Sequence, residues 1–588
     1  MTTHALVAGL LLATALPSIA GEHALLSGRV TDLNGQALAA TAVSLERAAG
    51  SEGARTLTVF SDDDGLFRFP SGVGAGTLNV RRIGFHPESR TTAGGDGDRV
   101  HFALRRDGNL AHTAPASAWL AAAPDSGAKH LTVLMCTGCH QFPTPRIRHY
   151  ATAMATVPGG DALAADAREQ WMRRVRQDGW HAAVKYMRAK AYDIFPEGSD
   201  IQIARLPWKT IQDERFALFN DADENVIASF LADHMPSQFD YLGRYSHDAP
   251  SAANGRTVIR EYPLPDTSLV REVVVVRGSP YIWGADVHRN RLLRLDPDTG
   301  EQRWFPVPYD GATGPHTIVG DPEGRVWVTM IENDILGRFD PASEQWKLWK
   351  LNETGSDVFG GQAVVHDIAY DHTGELAHDA QGRVWLTLVG SNKMASLHPE
   401  TGQVRHYPAP PVAGRSGINI TLYGTLLSAD GRCAWFSQLN GYVGCFNTET
   451  LTSESLVAFD PGAGPRRMAI DTQGTLWIPL FGAGQIVKYD TNERRELARY
   501  PLPDRAAAPY AVTWDERRGV LWVGNSNVDG LYRFDPATER FAWLPLPRAK
   551  SYLRQVALHP ESNDLVVTYA HLPVGSGPSM VVTIEPGD

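Results

Sequence analysis

Trp327-Val328-Thr329-Met330-Ile331-Glu332, followed by Ile335-Leu336-Gly337-Arg338-Phe339-Asp340-Pro341, is one copy of a unit that recurs through the C-terminal half of this 588-residue chain. The unit is a small-residue turn, an apolar run with a tryptophan, a loop, and an aliphatic run ending in Asp-Pro or its like. Trp283 leads to Leu292-Leu293-Arg294-Leu295-Asp296-Pro297, Trp385 to Leu397-His398-Pro399, and Trp435 to Val443-Gly444-Cys445-Phe446-Asn447. Trp477 leads to Ile486-Val487-Lys488-Tyr489-Asp490 and Trp522 to Leu531-Tyr532-Arg533-Phe534-Asp535-Pro536. A last copy, Asp564 to Glu585, lacks the tryptophan but keeps Val581-Val582-Thr583-Ile584-Glu585-Pro586. Copies about 42–58 residues apart, each with room for four short strands, predict a seven-bladed β-propeller over residues 250–588.

Closure is also legible. Complete copies end in an outer-strand segment such as Trp304-Phe305-Pro306-Val307-Pro308 or Tyr500-Pro501-Leu502-Pro503, and the last copy stops before it. An orphan version, Arg260-Glu261-Tyr262-Pro263-Leu264-Pro265, precedes the first copy. That strand is expected to complete the last blade and remove its open edge. Innermost strands start some eleven or twelve residues before most of the tryptophans, and further upstream in the third and fourth copies. This places Arg271, His316, His366, Asn419, Arg466, Tyr510 and Arg554 around one mouth of the channel. Such a ring suits a small anionic or carbonyl-bearing ligand, with His316 or His366 as base or metal ligand. The alternative is that any propeller mouth is ringed by polar residues.

The repeats resemble the virginiamycin B lyase (streptogramin lyase) family. That resemblance implies elimination across an ester of a cyclic peptide antibiotic, by a histidine, a glutamate and Mg²⁺ near the channel. Pro315-His316-Thr317-Ile318 matches the family's Pro-His-x-Ile, so the histidine role transfers to His316. The glutamate role falls on Glu332, which follows Trp327 by five positions and is out of clear register.

Upstream, Leu134-Met135-Cys136-Thr137-Gly138-Cys139-His140 has the spacing of c-type haem attachment. Cys136 and Cys139 can each form a thioether to one haem vinyl group, and His140 becomes the proximal iron ligand. The alternatives are a redox dithiol, which needs a βαβ pattern that is absent here, and zinc, which needs further ligands. Helical periodicity follows over Ala162 to Ala191, and Asp221 to His234 reads as a closing helix. A haem motif followed by amphipathic helices over 129–240 resembles a class I-like cytochrome c domain. The resemblance implies one-electron transfer and a methionine as sixth iron ligand. The candidates are Met154, Met172, Met187 and Met235, with His181 as the non-methionine alternative; Met187 is the favoured one.

Residues 21–107 alternate apolar and polar positions at period two. Gly28-Arg29-Val30-Thr31-Asp32, Gly35, Asp63-Asp64-Gly65-Leu66-Phe67-Arg68-Phe69 and Gly84-Phe85 resemble carboxypeptidase regulatory-like β-sandwich domains. These serve as spacers, stabilisers or carbohydrate binders. Asp62-Asp63-Asp64 reads as a hairpin turn, with calcium binding as the alternative. Residues 108–128, rich in Ala, Ser and Pro, read as a linker.

Residues 1–20 read as a signal peptide, with an apolar run from Ala5 to Leu16 and Ser18-Ile19-Ala20 as the cleavage site. No later run is long and apolar enough to span a membrane. The expected place is periplasmic or secreted, where Cys433 and Cys445, flanking the turn-like Ser437-Gln438-Leu439-Asn440-Gly441, can form a cross-strand disulfide. A net charge of −11 argues against generic nucleic-acid binding.

The fold expected is thus multidomain and mainly β: a sandwich, a helical cytochrome c domain and a seven-bladed propeller. The leading functional reading is an exported monohaem cytochrome with haem c, exchanging electrons with a periplasmic donor or acceptor protein. The alternatives are a lyase with an accessory haem domain, needing Mg²⁺, and a non-catalytic ligand-binding or sensor protein.

Overall fold

A computed structural model describes residues 26–587, except 49–52, 94–98, 110, 112, 122, 139, 156–162, 191–220, 236–250, 354–362, 411–421, 440, 461, 573 and 576. The expected signal peptide, Cys139 and Asn419 therefore lie outside the described residues. The chain is mainly β, with a β-sandwich, a small set of helices and a propeller-like array of sheets. No described helix is long and apolar enough to cross a membrane.

In the sandwich, Ser27–Asp32 pairs with Leu66–Arg68 and Arg99–Leu104 in one sheet. Ala42–Arg47, Thr56–Phe60, Gly76–Arg81 and Glu88–Thr92 belong to the other. Period-two alternation sends Val30, Val43, Leu45, Val59, Phe67, Leu78, Val80 and Phe102 into the core between them. The triple-aspartate stretch is a turn: Asp62 Oδ1 accepts from the amides of Asp64 (3.0 Å) and Leu66 (2.8 Å).

The helices are α1 (Ala118–Ala121), α2 (Gly127–Cys136), α3 (Pro145–Ala155), α4 (Ala165–Lys190) and α5 (Asp221–His234). Helix α1 falls inside the stretch expected to be a linker, and it buries Trp119 and Leu120. Ser126 caps α2 by accepting from the Lys129 amide. Trp180 and Val184 of α4 share a core with Ile227, Phe230 and Leu231 of α5. Arg173 grips Asp233 through two hydrogen bonds of 2.9 and 2.8 Å.

From Val270 onward, four-stranded antiparallel sheets follow one another, each running in sequence order from innermost to outermost strand. One is Pro315–Gly320, Val326–Met330, Ile335–Asp340 and Gln345–Lys350. The repeat tryptophans are nearly fully buried between sheets. A preceding aspartate secures three of them: Asp321 accepts from Trp327 Nε1 at 2.7 Å, Asp379 from Trp385 at 2.8 Å and Asp515 from Trp522 at 3.1 Å. Each aspartate also pairs with an arginine, Arg325, Arg383 or Arg518.

The orphan segment does complete the last repeat, since Val258–Pro263 pairs antiparallel with Ser579–Glu585. Its other edge is not left to solvent. Thr56 to Val59 of the sandwich pair with Val258 to Glu261, so sandwich and last repeat share one eight-stranded sheet. Glu261 fastens this seam. Its carboxylate accepts from Arg548 Nε (2.9 Å) and Tyr569 OH (3.0 Å), while Arg548 Nη2 donates to Thr56 Oγ1 (3.0 Å).

Cys433 and Cys445 are disulfide-bonded, with Cα atoms 5.5 Å apart. They are diagonal rather than directly opposed: Cys433 sits across from Asn447 and Cys445 from Trp435. The hairpin is centred on residue 440, one position later than a direct pairing requires. The bond closes a loop of sequence separation 12. Replacing both cysteines by serine is expected to cost about 2–3 kcal/mol, read as a lower thermal midpoint without reductant. With reductant present, the difference from the parent should vanish.

Candidate functional site: a covered channel mouth

Residues at the heads of the innermost strands lie close together. His316, His366, Arg466, Tyr510 and Arg554 are buried around one channel mouth, and Arg271 beside them is half-buried. In the fourth repeat Tyr423, twelve residues before Trp435, stands at this place, and the expected Asn419 lies outside the described residues. The His316 and His366 rings lie 4.5 Å apart between centroids, and His366 lies 4.0 Å from Tyr423. Tyr423 and Tyr510 share a hydroxyl–hydroxyl hydrogen bond. The Arg466 guanidinium stacks on Tyr423 (4.6 Å), Phe481 (4.4 Å) and Tyr510 (5.2 Å). Arg554 covers Tyr552 at 4.5 Å and Tyr510 at 5.5 Å.

A second row lies one residue further along the same strands, and the sequence reading missed it. Arg467 pairs with Glu272 (2.7 Å) and Asp367 (3.5 Å) and donates to Thr317 Oγ1 (2.5 Å). Glu272 is also the carboxylate beside His316, with Oε1 3.7 Å from Nδ1. Glu332, the expected glutamate, is buried in the turn after Val326–Met330, where its amide donates to the Thr313 carbonyl. Among the described residues, no three or more His, Cys, Asp or Glu side chains are grouped to hold a metal ion.

Electrostatics follow burial. Desolvation pushes both channel histidines well below the ordinary imidazole range, helped by Arg271 and Arg467, so both are neutral. Burial pushes Asp367 up to about 6 against the pull of Arg467. Burial also drives the two coupled phenols up, but Arg554, Arg271, Arg466 and Arg467 outweigh it at Tyr510, which is the more acidic of the pair. The Nε atoms of Arg271 and Arg466 are buried without a hydrogen-bond partner.

The haem-type motif covers this mouth. Val133, Leu134 and Phe142 share one apolar cluster with Tyr423, Phe481, Tyr510 and Leu572. Tyr552 OH donates to the Thr137 carbonyl (2.5 Å) and Arg554 Nη2 to that of Gly138 (3.3 Å). Asn527 brackets Phe142, accepting from its amide (2.7 Å) and donating to its carbonyl (2.9 Å). Gln141 donates to Asp529 (3.1 Å). Gly482 lets α2 lie this close, since a Cβ there would stand 2.5 Å from the His130 carbonyl.

Of the attachment residues, Cys136 and His140 are described, and their surroundings are compatible with haem attachment. Cys136 ends α2, and burial pushes its thiol up to about 12, which suits an inert thioether position better than a redox thiolate. His140 Nδ1 is held by the Gln141 carbonyl at 2.9 Å, so Nε2 is the nitrogen that would coordinate an iron. Met187 lies on α4 at 36% exposure, whereas Met235 is buried in the helical core. His181, the other alternative, is paired with Glu224 at 2.8 Å. The ring facing His140 belongs to the last repeat: His571, centroids 6.1 Å apart and planes 23° from parallel.

Residues 257–568 match the Virginiamycin B lyase family, and residues 26–105 match the carboxypeptidase regulatory-like domain. Among solved structures, virginiamycin B lyase from Staphylococcus aureus is 16% identical, with a TM-score of 0.45 over 56% of this chain and 99% of that one. A streptogramin B lyase structure is 16% identical, with a TM-score of 0.46 over 56% and 97%. A catalytically inactive variant of the S. aureus enzyme, solved with quinupristin, is 15% identical, with a TM-score of 0.45 over 56% and 99%. Among curated proteins, none matches the chain.

Proposed function

The chain belongs to the virginiamycin B lyase family, and from that premise we propose that its propeller, which we read as seven-bladed, binds a small anionic or carbonyl-bearing ligand beside a haem. In this reading Cys136, Cys139 and His140 hold the haem in an exported, periplasmic or secreted, electron-transfer protein. Six four-stranded sheets and the four-strand end of the shared sheet support the blade count.

One observation carries the ligand reading. Glu272 and Asp367 are both engaged by Arg467. Arg271 and Arg466 therefore add positive charge that no carboxylate pairs among the described residues. Buried cations without a counter-charge are costly, and an anion entering between them would relieve that cost. The aromatic faces of Tyr423, Phe481 and Tyr510 give a planar ligand a wall to lie on.

A haem at the motif supplies one-electron chemistry to whatever occupies the mouth. The chain's own residues do the rest. His140 presents Nε2, Arg554 and Tyr552 fix the motif backbone, and the α2 cover excludes water from the ring below. A redox protein partner would meet the outer face of the helical segment.

The test uses the exported full chain made with a haem-attachment system. Citrate, as an anionic probe, is expected to raise the thermal midpoint. Arg466→Gln is expected to weaken citrate about tenfold or more, the loss of one charge-assisted contact. Replacing Cys136 and Cys139 by serine should abolish covalent haem and electron transfer to a soluble cytochrome acceptor.

A second reading, the lyase, is favoured by the family and by His316 beside a channel carboxylate. It predicts that the double serine variant still linearises quinupristin in the presence of Mg²⁺, and that His316→Ala does not. Electron transfer that survives loss of both cysteines would remove the redox reading.

A further inference from the structure

We infer that the propeller itself supplies the sixth ligand of the haem iron, through His571. This rests on the haem reading above and names the one ligand which that reading left among several.

Two imidazoles bound to opposite faces of one iron, with metal–nitrogen bonds of about 2 Å, have ring centroids about 6 Å apart. The His140 and His571 centroids are 6.1 Å apart, and the rings are within 23° of parallel. Since the Gln141 carbonyl holds His140 Nδ1, the outward nitrogen is the one available to a metal.

His571 is well placed to be a fixed partner. It follows directly on the strand Leu565–Ala570 of the last repeat and is 9% exposed. Gly577 lies against it: a Cβ there would come within 2.8 Å of His571 Cβ and Cγ, so only glycine leaves room for the ring. Tyr552 meets the ring edge-on at 6.1 Å, and its hydroxyl holds the Thr137 carbonyl. Tyr552 and Arg554 hold the backbone before His140 on one side and, on the other, Ala570 next to His571, through the Ala570 amide to the Tyr552 carbonyl (3.0 Å) and Arg554 Nε to the Ala570 carbonyl (3.4 Å).

Met187, the ligand expected from sequence, is on a helix face 36% exposed to solvent. A ligand from the propeller would place the iron at the interface of the two domains, directly over the cationic ring. Binding in the channel and the properties of the iron would then be coupled through Arg554, which touches Gly138 on one side and Tyr510 on the other.

The experiment is spectroscopy on the exported holoprotein, with pyridine haemochrome measured on every sample to establish covalent haem. The parent is expected to show low-spin ferric haem without the weak methionine–iron charge-transfer band. His571→Ala is expected to turn the ferric haem high-spin and let the ferrous form bind CO, and added imidazole should restore the low-spin spectrum. His571→Met should gain the charge-transfer band and raise the reduction potential, because an axial methionine favours the ferrous state. Met187→Ala should change nothing.

A parent that shows the charge-transfer band or a high-spin spectrum overturns the assignment without any variant, so a misfolded His571→Ala cannot shelter it. Covalent haem with a low-spin spectrum unchanged in His571→Ala overturns the assignment while the haem reading stands. Absence of covalent haem in the parent overturns both.

Discussion

Arg467→Met is expected to cost the folded chain about 3–5 kcal/mol, because it leaves two buried carboxylates without their shared cation. Arg467 is 4% exposed and is the point where Glu272, Asp367 and Thr317 meet. Burial opposes its charge, but Asp367 and Glu272 hold it well above the ordinary guanidinium range. Methionine fills similar volume, so the loss is electrostatic rather than a cavity. The sign with pH is set by the abandoned acids. The folded pKa of Asp367 lies above its unfolded value, so the stability of the variant is present at low pH and lost as pH rises through the folded value. Asp367 already sits near 6 with Arg467 in place. The deficit in thermal midpoint against the parent should therefore be smaller at pH 5 than at pH 8. A deficit that is larger at pH 5 would contradict this account of the network.

Removing residues 26–105 is expected to lower the thermal midpoint of the propeller sharply and to make the remaining chain self-associate. The sandwich covers a sheet edge through Thr56 to Val59, and without it Val258–Pro263 presents unpaired backbone groups to solvent. Ala42 and Phe60 also leave a shared apolar cluster with Ile259, Leu544 and Val582. Arg81 leaves Asp529, 3.2 Å away, and Thr56 leaves Arg548. Scanning calorimetry and size-exclusion chromatography with light scattering check this. A truncated chain that stays monomeric with the parent's propeller transition would show the sandwich to be an independent spacer.

The repeat was legible because burial between sheets demands a large apolar side chain at a fixed place, and Trp283, Trp327, Trp385, Trp477 and Trp522 mark it. Strand closure was legible because a leftover segment, Arg260 to Pro265, has the letters of the missing strand. The sandwich's pairing with that segment was not, since backbone-to-backbone hydrogen bonds demand no particular residue on either side. Tyr423 was within reach: the twelve-residue interval before Trp435 lands on it. The second row was also within reach, as Arg271-Glu272, His316-Thr317, His366-Asp367 and Arg466-Arg467 are paired polar residues at the head of otherwise apolar strands. His571 carried no signal, because the copy that contains it has lost its tryptophan and it faces a partner 431 positions earlier in the chain.

The stitching of residues 137–142 to Asn527, Asp529, Tyr552 and Arg554 sets an order of maturation. These bonds span 385 to 416 positions, so they form only once the final repeats have been made and have closed the ring. After that, the half-buried Cys136 lies against the closed ring, at the end of a segment fixed at several points. On the proposed haem reading, ligation would act on the newly exported segment, ahead of propeller closure. A chain whose ring closes too early would be trapped, fully folded, as a colourless protein.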